Sequence, residues 1–261
     1  GRRGHGVPEV IDFGTLLRDT DFPVLLRTML ARLAGTYDHP VDIEFTVNPD
    51  RAGRVSLNLV QCRPLQTRGV GGAVGVPEVV PERCLLSTAG NFMGGNARLP
   101  IEWVVLVRPD AYLALGEPGR YAVARRIGAL NRVLDGTALL AGPGRWGTSM
   151  PALGVPTHFS DLNRFTVLVE TTYAAGSFRP ELSYGSHFFQ ELVETGIWYA
   201  ALFDDRPGVS FQPGLVTSLP NRHAELCPEE PWLTEVVHVA HTPGLILHAD
   251  VTDQRMVVQW T

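Results

Sequence analysis

Cysteine is scarce in this chain. The three residues among 261, Cys62, Cys84 and Cys227, are odd in number and form no CxxC pair. Neither a disulfide framework nor a zinc cluster is expected from them, and a reducing, cytoplasmic setting is. Long apolar runs are missing too: none approaches the roughly 18 residues of a membrane span, and no signal-peptide pattern opens the chain. A membrane partner is therefore not expected. There is no basic excess, since the formal net charge is -5 with a pI near 5.9, which argues against a general phosphate-backbone binder of nucleic acid. The chain has no G-x-S-x-G elbow, no glycine loop closed by Gly-Lys-Ser/Thr, no GxGxxG in dinucleotide spacing and no evident internal repeat. What is there is ordinary globular composition, 44% hydrophobic and 19% charged, enough for one large domain or two small ones.

The most informative stretch is a pair of expected strands, residues 41–47 and 55–63, joined by Asn48-Pro49-Asp50-Arg51-Ala52-Gly53. In the first, Val41, Ile43, Phe45 and Val47 alternate with Asp42, Glu44 and Thr46; the two-residue period of a strand puts the apolar set on one face and the carboxylates on the other. The Asn, Pro, Asp and Gly of the joint are turn formers, so the pair reads as a hairpin. In the second strand Gln61 and Arg63 share a face. Glu44 and Gln61 offer hard oxygen ligands for magnesium and Arg63 a fixed charge for phosphate, which together meet what a nucleotide triphosphate requires. The plainer alternative is a surface hairpin with a charged outer face. Before it, Asp21, Pro23 and the spacing of Leu26, Met29, Leu30 and Leu33 up to Gly35 predict a helix with Asp21 as N-cap.

The strings "DIEFTVN" and "GRVSLNLVQCRPLQT" resemble the closing segment of the ATP-grasp nucleotide-binding domain of phosphoenolpyruvate synthases and pyruvate phosphate dikinases. The resemblance implies that Glu44 and Gln61 contact the nucleotide and its metal, with Arg63 beside them. It implies ATP and Mg2+ as cofactors, a small-molecule acceptor, and phosphoryl transfer through a histidine toward pyruvate or a similar compound. The family's triphosphate-binding glycine loop, phosphohistidine segment and phosphoenolpyruvate-binding barrel have no counterpart here. The resemblance therefore also implies a fragment, inactive alone, whose partner is the missing N-terminal part of the same protein.

Residues 68–83 are rich in glycine and proline and read as a linker, dividing residues 1–67 from an accessory domain over 84–261. In that second part "IEWVVLVRP", a helix opening at Pro118, "TALLAGPGRWG" and "RFTVLVETT" alternate as strand, helix, strand and strand. The end of the chain reads as short strands broken by Thr-Pro-Gly and Thr-Asp-Gln turns. The expected fold class is thus mixed α/β: an ATP-grasp-type closing hairpin and helix, then a separate α/β domain with a β-rich end.

Two glycine-bearing segments of the second part are candidate anion sites. In Gly142-Pro143-Gly144-Arg145-Trp146-Gly147 the glycines allow close backbone approach and Arg145 supplies a planar fork. In Ser183-Tyr184-Gly185-Ser186-His187, Ser186 is a candidate helix N-cap and His187 a first-turn residue. The expectation is that Arg145, Ser186 and His187 gather around one pocket, which makes the domain a regulatory or binding module for an anionic metabolite or a partner domain. The alternative for the first segment is a structural turn with Trp146 packed and Arg145 paired to Glu170 or Glu181. His238, His241 and His248 lie within eleven residues, but a spacing of three places the first two on opposite faces of a strand and argues against a shared metal.

Overall fold

A computed structural model describes residues 13–38, 41–50, 54–64, 74–172, 182–183, 192 and 195–261. The chain divides into two compact units, Gly1–Gln66 and Thr67–Thr261.

The first unit holds α1 (Gly14–Arg18), α2 (Phe22–Tyr37) and the antiparallel strands β1 (Val41–Pro49) and β2 (Val55–Pro64). Pro23 falls in the first turn of α2, as the sequence predicts, but Asp21 makes no side-chain cap; the Phe22 N–H is instead met by Thr20 Oγ1 at 3.2 Å. The helix runs two residues past Gly35 and ends at Asp38, which takes a left-handed conformation. Ile43, Phe45 and Val47 are half-buried while Glu44, Thr46 and Asn48 are exposed, so the alternation read from the sequence holds in β1 from Ile43 onward; Val41 and Asp42 are both half-buried. Phe22 and Phe45 meet with ring centroids 6.0 Å apart. Among the described residues of this unit, Phe22 alone is buried.

The second unit is mixed α/β. Its strands in chain order are β3 (Cys84–Ala89), β4 (Phe92–Met93), β5 (Ala97–Pro100), β6 (Trp103–Val107) and β7 (Ala138–Pro143). The short pair β8 (Arg145–Trp146) and β9 (Gly154–Val155) comes next, then β10 (Val167–Thr171), β11 (Trp198–Leu202) and β12 (Ser210–Phe211). The last three are β13 (Val237–His241), β14 (Leu245–Asp250) and β15 (Arg255–Trp260). Six of them form a sheet in the order β13-β6-β7-β10-β11-β4, whose four central members are parallel. Five form an antiparallel sheet, β12-β3-β15-β14-β5. Two helices, α3 (Pro109–Leu113) and α4 (Glu117–Val133), join β6 to β7.

Strand alternation makes three layers of these parts. Val105, Leu140, Leu168 and Tyr199 point one way, into a core shared with Val123, Ile127 and Leu130 of α4. Their neighbours Val104, Leu139, Val167 and Ala200 point the other way, onto Leu86, Leu247 and Val258 of the five-stranded sheet. Central strands buried on both faces are apolar almost throughout, which is why they read as apolar runs, interrupted in β10 by Glu170.

Residues 74–83, read from composition as a linker, lie across the five-stranded sheet. Val74 N–H donates to Asp250 Oδ2 at 3.2 Å, and Val80 N–H to Gln259 Oε1 at 3.2 Å. Gln259 Nε2 returns a bond to the Glu78 carbonyl, also at 3.2 Å, and Gln212 Nε2 donates to Pro81 O at 2.8 Å. Proline and glycine prevent the segment from joining the ladder, so side chains of the sheet satisfy its backbone instead. Among the described residues no helix is long and apolar enough to cross a membrane.

Candidate functional site

The second strand of the hairpin departs from its sequence pattern at one residue. Leu57, Leu59, Gln61 and Arg63 have the same parity, so a regular strand would turn all four to one face and drive two polar side chains against α2. The ladder avoids this. Glu44 pairs with Gln61 but Phe45 with Leu59, so Val60 is an extra residue with no partner, a β-bulge. The bulge reverses the parity of the residues after it. Leu57 and Cys62 stay half-buried, opposite Val47 and Ile43, while Gln61 is exposed directly opposite exposed Glu44. Opposed residues of an antiparallel pair have Cβ atoms about 4.5–5.5 Å apart, within joint reach of one ligand atom. The same ladder pairs Arg63 with Asp42.

On either side of the exposed Val60 the outer face carries polar residues. Asn58 Nδ2 donates to Thr46 Oγ1 at 3.3 Å and Ser56 Oγ to the Asn48 carbonyl at 3.1 Å. Arg54 closes the turn end by bonding Asp50 through both its backbone N–H (2.9 Å) and its Nε (2.8 Å). Glu44 and Gln61 carry no such ties among the described residues. Two exposed, uncommitted oxygen donors suit Mg2+, which takes one or two protein oxygens and completes its shell with phosphates and water. No group of three or more His, Cys, Asp or Glu suited to a metal occurs among the described residues, so a complete all-protein cage is not what these residues form.

The glycine segment of the second unit is built around a buried carboxylate. Glu170, fully buried near the carboxyl end of β10, accepts Trp146 N–H at 2.8 Å and Ser183 Oγ–H at 2.7 Å on one oxygen. Its other oxygen accepts Ser183 N–H at 2.6 Å and Tyr199 O–H at 2.8 Å. Burial raises its pKa above the usual carboxylate range, against the opposing pull of these four donors. The glycines serve the protein itself. A Cβ on Gly142 would stand 2.7 Å from the Trp146 ring, and one on Gly144, at φ +66°, 2.3 Å from the Leu153 carbonyl oxygen. The close approach that the sequence suggested for an anion is thus taken by Trp146, 1% exposed, and by the backbone of β9. Arg145 is half-buried beside it. Ser186 and His187 lie outside the described residues; Glu170 does bring Ser183, at the start of their segment, to the Trp146 loop. A lone acid in the apolar run of "FTVLVETT" was the signal for this centre.

The C-terminal histidines separate as their spacing predicts. His238 is buried, whereas His241 is exposed and packs on Trp103 with centroids 4.9 Å apart; His248 belongs to the other sheet. His223, fully buried, has Nδ1 3.0 Å from Thr234 Oγ1 and, among the described residues, no partner at Nε2. Burial, then the Arg126 charge, lowers its pKa to about 4. Comparison of the chain with protein-family models, with curated proteins and with solved structures returns no match.

Proposed function

We propose that the first unit is the closing end of an ATP-grasp-type nucleotide site, and that the chain is part of an ATP-dependent phosphotransferase resembling phosphoenolpyruvate synthase and pyruvate phosphate dikinase. The observation that carries this reading is the opposition of exposed Glu44 and Gln61 across the hairpin, reached only through the bulge at Val60. The bulge keeps the polar side chains of the second strand off α2, and in doing so it sets a glutamine beside a glutamate on the exposed face. In this reading Glu44 and Gln61 hold Mg2+ by their oxygens, and Arg63 supplies a positive charge to a phosphate. Bound Mg2+ would supply charge neutralisation and the nucleotide the phosphoryl group; the residues of this chain would orient them. The remaining contacts to the triphosphate, and the phosphohistidine that would carry the group to pyruvate or a similar acceptor, come from residues other than these 261.

Mg·ATP should accordingly bind weakly, with a dissociation constant on the order of millimolar, and should not be hydrolysed. Titration of the isotopically labelled chain with Mg·ATP, followed by nuclear magnetic resonance, tests this. Shifts should centre on Glu44, Gln61 and Arg63 and vanish in Glu44→Gln; absence of any shift there at about ten times that concentration removes the nucleotide reading.

A further inference from the structure

The second unit carries an open cavity of about 490 Å³ that none of the residues discussed above lines. Its walls are the α3–α4 turn with the first turns of α4 (Leu115 to Tyr121) and the segment Ser149–Ala152 beyond the glycine loop. Both come after the carboxyl ends of parallel strands, β6 and β7, the edge at which α/β sheets place their ligands. The volume lies in the range of small-molecule sites.

Two features of the lining define a ligand. The first is an acid and a base that stay apart. Glu117 and Arg120 are three residues apart on α4, a spacing that brings side chains to within about 6 Å at Cβ, yet they form no ion pair. Arg120 is held by protein carbonyls: Nη1 on Pro151 at 2.9 Å, Nε on Leu115 at 3.2 Å and Nη2 on Leu113 at 3.3 Å, with the guanidinium 5.4 Å from the Tyr112 ring centroid. These contacts orient the cation and leave two of its five N–H groups, and no carboxylate of the described residues neutralises it. Glu117 is exposed. The second feature is apolar surface left in water: Tyr121 is 38% and Met150 56% exposed.

We propose that this cavity binds a free α-amino acid with an apolar side chain, its carboxylate on Arg120, its ammonium on Glu117, and its side chain against Tyr121 and Met150. A simple anion would meet Glu117 unfavourably and a simple cation would meet Arg120; a zwitterion satisfies both charges across a short span. The assignment is independent of the nucleotide reading of the first unit and gives the second unit the character of a metabolite-sensing domain.

The test uses the whole chain, labelled for nuclear magnetic resonance, and three probes: L-leucine, L-leucinamide, which lacks the carboxylate, and N-acetyl-L-leucine, which lacks the ammonium. L-Leucine should shift residues 115–121 and 149–152 with a dissociation constant on the order of millimolar, and each truncated probe should bind at least about tenfold more weakly, one charged contact being lost. Arg120→Ala also removes three carbonyl contacts and tests folding as much as binding, so exposed positions serve instead. Glu117→Gln should abolish the preference for L-leucine over its N-acetyl form, and Met150→Ala should weaken L-leucine several-fold. Equal binding of the three probes, shifts elsewhere, or no shift at about 50 mM ligand overturns the proposal.

Discussion

The two units of this chain treat their polar groups in opposite ways. In the second, Glu170 is fully buried and each of its oxygens is met by donors, drawn in all from three segments; the carboxylate organises the loop and offers nothing to solvent. In the first, Glu44 and Gln61 stand exposed and opposed, and what is buried beneath them is Phe22 alone among the described residues. Satisfied, buried polarity is a means of fixing one structure, and uncommitted, exposed polarity is where a ligand can act. The buried carboxylate therefore serves the fold, while the candidate chemistry lies at exposed positions, on the hairpin of the first unit and at Glu117 of the second.

Replacing Glu170 by Ala should break the contrast most severely. Several buried donors lose their acceptor at about 1–3 kcal/mol each, so the second unit should lose about 3–5 kcal/mol, measured by urea unfolding of the chain. A loss below about 1 kcal/mol would mean that the centre is not what holds the loop. Next in size, Phe22→Ala should cost about 3 kcal/mol and abolish amide protection in β1 and β2 while leaving β7 and β10 protected. If hydrogen exchange in the unmodified chain were as slow in β1 as in β7, the two units would not differ in the way described.

A pH effect of about 3 kcal/mol is expected from His223. Its folded pKa, about 4, lies below the ordinary value near 6.5, so between those values the unfolded chain holds a proton that the folded one rejects. Its stabilising contribution is present above about pH 6.5 and falls away as the pH drops toward about 4; His223→Asn should flatten unfolding free energy against pH over that interval. The smallest effect belongs to the exchange that sharpens the comparison: Glu44→Gln with Gln61→Glu should alter stability by less than about 0.5 kcal/mol. Calorimetric unfolding checks this, and a larger loss would assign the pair a structural duty.

Much of this was legible in the residues. The period of two in Val41–Val47, the helical spacing of Val123, Ile127 and Leu130, and the apolar runs of β6, β7 and β10 arise from local sterics and from which side chains avoid water, and each element forms where its pattern lies. Harder to read were features that depend on a partner far along the chain. The Thr-Pro-Gly after β13 marks a turn correctly, but its flanking strands enter different sheets, because pairing is decided by which edge is free rather than by the turn. The glycines of residues 142–147 likewise announce close approach without saying to what.

By itself the sequence determined the mixed α/β class, and it nominated a division near residue 67 and Glu44 and Gln61 as candidates, since composition, periodicity and residue chemistry are local properties. Only the tertiary structure decided that Val60 bulges, that the Trp146 ring fills the space left by Gly142, that Glu170 gathers Trp146, Ser183 and Tyr199, and that residues 74–83 bind across a sheet. Each of these satisfies a polar group or fills a volume with atoms distant in sequence, and neither hydrogen-bond satisfaction nor close packing can be assigned until those atoms are brought together.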